Sequence, residues 1–165
     1  MANYSEMRDA ALNAQQRFNG MRDRAYGCLG KVVQGLITHC QVPQDKITFL
    51  KWNGGLDEQR HYYPADAGQR YSLQGAAVFD DSDGYWHLGI RISLTQLQFV
   101  SFALCVTQQD GTIKVKTGVD AKPQTLNIDN EAELRAYCES IADKVIQVYA
   151  EPKSSESRTF GFGGN

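Results

Sequence analysis

The chain has 165 residues, of which 42% are hydrophobic and 22% charged, the composition of an ordinary soluble protein large enough to bury a core. A formal net charge of −2 gives no broad cationic field for nucleic acid. No run is long and apolar enough to span a membrane, and the start from Met1 to Asp9 lacks the apolar core of a secretory signal, so the expected location is cytoplasmic.

Asn3 followed by Glu6 has the spacing of a capping box and predicts a helix that begins there. Tyr4, Met7, Ala11, Ala14, Phe18, Met21, Ala25 and Cys28 then recur at alternating three- and four-residue steps, a 3.5-residue period that suits a seam between helices. After Cys28 the register shifts, and Leu29, Val32, Val33, Leu36 and Ile37 form a broader stripe of the kind that lies on a sheet or core. An unbroken helix from Asn3 to Cys40 would be about 55 Å long at ~1.5 Å per residue, whereas a compact chain of this length has a radius of gyration of ~15 Å. Either the helix kinks near Gly20, or its first half projects and finds a partner. Gly20, Gly27, Gly30 and Gly35 each weaken a lone helix by about 1 kcal/mol and permit close backbone approach, which favours the partner.

Pro43 ends this helix, Ile47 to Trp52 reads as a strand, and the stretch from Leu56 to Arg70 has neither periodicity and is long for a connection. From Tyr71 the pattern becomes a meander. Tyr71, Leu73 and Ala77 to Phe79 make its first strand, and Asp80 to Gly84 its turn. Trp86, Leu88, Ile90, Ile92 and Leu94 alternate with Tyr85, His87, Gly89, Arg91 and Ser93, which predicts one dry face and one wet face. Neither face of Leu97 to Thr107 is charged, which makes it the expected central strand, covered on both sides. Lys114 and Lys116 alternate with Ile113, Val115 and Thr117, as on a protected edge. Asn130 and Glu133 repeat the capping spacing, and Leu134, Cys138, Ile141, Val145 and Val148 follow at helical intervals up to Pro152.

The expected architecture is α+β: a long N-terminal helix, a four- to five-stranded antiparallel meander and a C-terminal helix, both helices covering one sheet face. These form one domain over 1–152, with a flexible Ser/Gly/Phe tail over 153–165.

Chemical motifs are sparse. Cys28, Cys40, Cys105 and Cys138 include no C-x-x-C pair and read as buried thiols rather than metal ligands, and no cofactor is implied. Asp80, Asp81 and Asp83 before Gly84 fail as a calcium loop, which would need an acidic residue at Phe79 and a glutamate at Ile90; turn chemistry explains them. Lys51, Trp52, Arg60, His61, Tyr62, Tyr63, Arg70 and Tyr71 interleave cations with aromatic rings, an arrangement able to stack a base and hold a phosphate. Asp57, Glu58 and Asp66 offset that charge. His61 is the single loop histidine able to act as a general base, and no G-x-S-x-G or H-E-x-x-H motif accompanies it.

Two readings of function follow. The favoured one is a non-enzymatic protein-interaction or assembly module, a self-associating adaptor or chaperone-like subunit whose partner is a second copy or another protein. Its contact residues are Tyr4, Met7, Ala11, Ala14, Phe18 and Met21 on the helix and Phe160 and Phe162 on the tail. The alternative is a nucleotide or single-stranded nucleic-acid binder, with or without enzymatic activity, that uses the basic-aromatic loop over 51–71.

Overall fold

The computed structural model describes residues 1–53, 62–152 and 157–162. The first helix, α1, runs unbroken from Tyr4 to His39, so Gly20 does not interrupt it. Both halves of the capping box form: Asn3 Oδ1 accepts from the Glu6 amide and Glu6 Oε2 accepts from the Asn3 amide, each at 3.0 Å. At the other end the amides of Cys40 and Val42 both donate to the Leu36 carbonyl. None of these α1 residues is buried before Ala25.

A 3₁₀ turn over Gln44–Lys46 leads into β1 (Ile47–Trp52), followed by β2 (Tyr62–Tyr63), a one-turn helix α2 (Leu73–Ala76), β3 (Val78–Asp80), β4 (Tyr85–Ser93), β5 (Phe99–Gln109), β6 (Thr112–Lys116), β7 (Gln124–Thr125), α3 (Glu131–Val148) and β8 (Ser157–Phe160). The described residues form an eight-stranded sheet in the order β2-β1-β4-β5-β6-β7, with β3 against β4 and β8 against β5. The pairs are antiparallel except β5–β8, which is parallel. The extra strands beyond the expected four or five are short. No helix among the described residues is long and apolar enough to cross a membrane.

Two local expectations are corrected. Where one strand was expected over Tyr71–Phe79, α2 intervenes, because Ser72 caps it by accepting from the Gly75 amide and Ala76 turns into the core. Lys116 does not guard an exposed edge: it is buried, with its amine 4.3 Å above the Tyr85 ring and donating to the Val119 carbonyl at 2.7 Å, so the stem is covered while the charge is satisfied. Within the tail, Ser157–Phe160 form a strand. Arg158 Nη1 donates to the carbonyls of Val148 and Glu151 at the end of α3, and the Phe160 ring stacks on Phe102 at 4.9 Å.

Both helices cover one face of the sheet, as expected. Cys28, Leu29, Val32 and Leu36 of α1 and Leu134, Cys138 and Ile141 of α3 pack with Leu88, Ile90, Phe102 and Leu104. The other face is also dry over part of its area, which the alternation in β4 did not predict. After Leu50, β1 leaves β4 and pairs with β2 through Lys51 and Trp52. Trp52 and Tyr62 thereby join Leu50, Tyr85, Ala103 and Cys105 in a second core cluster, with Phe162 packed against it.

Candidate functional site

The apolar seam of α1 meets two different environments. Phe18 is the first seam residue to touch the domain, with its ring 5.5 Å from Phe79 and 5.7 Å from Trp86. Ala25 and Cys28 are buried, and Met21 is half-buried. In the other direction every residue from Met1 to Phe18 is exposed, including Tyr4 at 77%, Met7 at 62% and Phe18 at 40% of their surface. The seam residues Tyr4, Met7, Ala11 and Ala14 therefore lie together on a helical stretch that their own domain leaves uncovered. Of the two tail candidates, Phe160 is engaged on Phe102, and the Phe162 ring stacks on Tyr62 at 4.9 Å.

The basic-aromatic group is divided. Trp52 and Tyr62 are buried, their rings 4.8 Å apart, and so take the place of core residues. Lys51 and Tyr63 are half-buried and paired in register between β1 and β2. Arg70 and Tyr71 border a groove of about 700 Å³ between α1, β1 and the segment from Pro64 to Leu73. Arg60 and His61 lie outside the described residues.

The polar cluster that sequence reasoning missed is in the second core. His87, expected on a wet face, has no exposed surface because Trp52 stacks on it at 4.5 Å and 12°. Its Nε2 lies 2.7 Å from Asp83 Oδ2 and its Nδ1 lies 2.7 Å from the Tyr62 hydroxyl. A carboxylate only accepts, so Nε2 carries the proton, and Nδ1 accepts from the Tyr62 O–H. Cys105 Sγ stands 3.4 Å from the same Nδ1. The order Asp83, His87, Cys105 resembles a nucleophilic relay, but its thiol is buried and favoured in the protonated form. Burial pushes the Cys105 thiol up to about 12, raises the Tyr62 hydroxyl far above its ordinary range, and lowers the His87 imidazole against the pull of Asp83. A protonated, inaccessible thiol is not a nucleophile.

Asp80, Asp83 and His87 bring three potential metal-ligating atoms within 4.8 Å of one another. Their hydrogen bonds already account for the turn: Asp80 Oδ1 accepts from the Ser82 amide and hydroxyl, Asp80 Oδ2 from Trp52 Nε1, and Asp83 Oδ1 from the Tyr85 amide. This is the turn chemistry expected of the acidic run, with the added role of pinning Trp52 and His87. The only local signal for it was the four-residue spacing of Asp83 and His87 across a turn.

Comparison with protein-family models, with curated proteins and with solved structures gives no match.

Proposed function

We propose that this chain is a non-enzymatic protein-interaction module whose docking element is the first half of α1. The observation that carries the reading is the exposed seam from Tyr4 to Phe18 on a helix that continues into the domain core. A solvated helical stretch of this length is marginal by itself, and an apolar stripe at 3.5-residue spacing gains its stabilisation by burial against another helix.

The flanks of the seam select the partner. Counting heptads from Tyr4, the positions beside the seam hold Arg8, Ala10, Gln15 and Arg17, whereas Glu6 and Asp9 stand away from it. A second copy would bring cationic flanks together, and a helix with carboxylates beside its own apolar stripe would complement them. The alanines at 11 and 14 let that helix approach closely. The preferred partner is therefore another protein presenting such a helix.

Site-specific photo-crosslinking in cells tests this. A benzoylphenylalanine at Met7 or Ala14 is expected to give one discrete adduct with another polypeptide, and the same group at Asp9 or Gln16 to give none. Equal crosslinking from both faces, or none from either, would overturn the docking role. An adduct of twice the chain's own mass would overturn the choice of partner.

A further inference from the structure

We propose that the outer edge of β1 is a second docking site, which takes an extended peptide segment bearing a carboxylate side chain. This inference does not rest on the role assigned to α1. Between Ile47 and Leu50 the inner edge of β1 is occupied by β4, while β2 joins only at Lys51 and Trp52. Among the described residues, no strand pairs with the outer edge over those four positions. Alternate residues of an edge strand turn their N–H and C=O groups outward, which is a template for another extended chain; the Ile47 amide already donates to the Gln44 carbonyl, so the outward amide on offer comes from Thr48 to Leu50.

The groove of about 700 Å³ follows this edge. It is lined by all four residues from Ile47 to Leu50, and consecutive strand residues face opposite sides of the sheet, so the groove wraps the edge. Val33, Ile37, Phe49 and Leu73 supply apolar walls. Four residues of strand span about 13 Å at ~3.3 Å per residue, enough for two side chains on each face of an added segment.

The charge of the groove selects the ligand. Arg91 stands opposite Thr48 in the register and lines the groove with Arg70. The Arg91 Nε donates to Ser101 Oγ at 3.1 Å, and its guanidinium lies 4.5 Å above the Phe99 ring. Burial holds the Arg91 pKa below its ordinary value. The ion pairs among the described residues involve neither Arg91 nor Arg70. Asp45 also lines the groove, and the balance among its described lining residues is cationic. A carboxylate between two apolar residues of an extended segment would face the arginines while its neighbours face α1. The molecule already uses strand addition once, where β8 extends the sheet on Phe99–Phe102 of β5.

A display library of random linear heptapeptides panned against the full chain tests the site. The best binder, synthesised with a fluorophore, is measured by polarisation. Enrichment of Asp or Glu flanked by apolar residues is expected, with affinity falling about tenfold in Arg91→Gln or Arg70→Gln and lost on N-methylation of alternate peptide amides. Deleting residues 1–17 is expected to leave the affinity unchanged. Because Arg91 touches Ser101 and Phe99, the exposed Arg70 variant keeps the test readable if Arg91→Gln misfolds. Absence of carboxylate-bearing binders, or a binder indifferent to Arg70→Gln and to N-methylation, would overturn the proposal.

Discussion

His87 occupies the core as a neutral ring, clamped between Asp83 and Tyr62 and stacked on Trp52. Burial sets its pKa below the ordinary 6.5, so on acidification the unfolded chain binds a proton there before the folded chain does. Stability is therefore fully present above pH 6.5 and declines as pH falls from there to the folded value. Desolvation opposes the ionised form of Asp80, yet hydrogen bonds from Ser82 and Trp52 hold its pKa below the ordinary 3.8, extending the loss to lower pH. Urea midpoints at pH 7, 6 and 5 are expected to fall in that order. His87→Leu is expected to cost about 2–3 kcal/mol, because Tyr62 and Asp83 lose a buried partner, and to flatten the decline between pH 7 and 5. The thiols divide in the same way. Burial pushes Cys28, Cys105 and Cys138 up to about 12; burial and the Glu139 and Asp143 carboxylates also raise Cys40, but Cys40 is half-buried and so within reach of a reagent. Iodoacetamide is expected to modify Cys40 alone in the native chain and all four in denaturant, with mass spectrometry as the readout. The burial of Cys28, Cys105 and Cys138 was legible from their apolar neighbours, whereas Cys40 is half-buried against that reading. That of His87 was not, because Trp52 and Tyr62 reach it from a strand pair that no local pattern ties to β4.

At the scale of elements, α1 and α3 cross where Gly35 leaves room. A Cβ there would stand 2.6 Å from Cys138 Sγ, whereas one at Gly27 meets nothing within 4 Å. Gly35→Ala is expected to destabilise by about 1–3 kcal/mol through overpacking, and Gly27→Ala to stabilise by about 0.5–1 kcal/mol through helix propensity. Thermal melts of the two variants, moving in opposite directions, check this. The N-caps and the stripes of α1 and α3 were legible because each is written within a few consecutive residues, but the full box closes only at Asn3: the Asn130 side chain accepts from the Ala132 and Glu133 amides while its own amide donates to the Asn127 carbonyl. The roles of the glycines were not, since composition treats all four alike and only the crossing separates them. The strand in the tail was equally hidden. Its order comes from the open edge of β5, from Arg158 on the end of α3, and from Gly161, whose carbonyl accepts from the Val119 amide at 2.7 Å. Gly161 has φ +77, and an added Cβ would stand 2.7 Å from the Gly118 Cα, a backbone approach that no other residue permits.

Across the whole molecule, labour is divided along α1. From Ala25 to Leu36 the helix roofs the sheet, while the stretch before Phe18 adds nothing to the core. The 3.5-residue period and the later, broader stripe marked that division in the sequence, and the continuity of the helix decided between a kink and a projection. Thermal unfolding of the chain lacking residues 1–17 beside the full chain tests this division directly. If the segment serves a partner, the two transitions agree within about 2 °C. A fall of about 6 °C or more, corresponding to ~2 kcal/mol for a chain of this size, would show that the segment stabilises its own domain and that no such division exists.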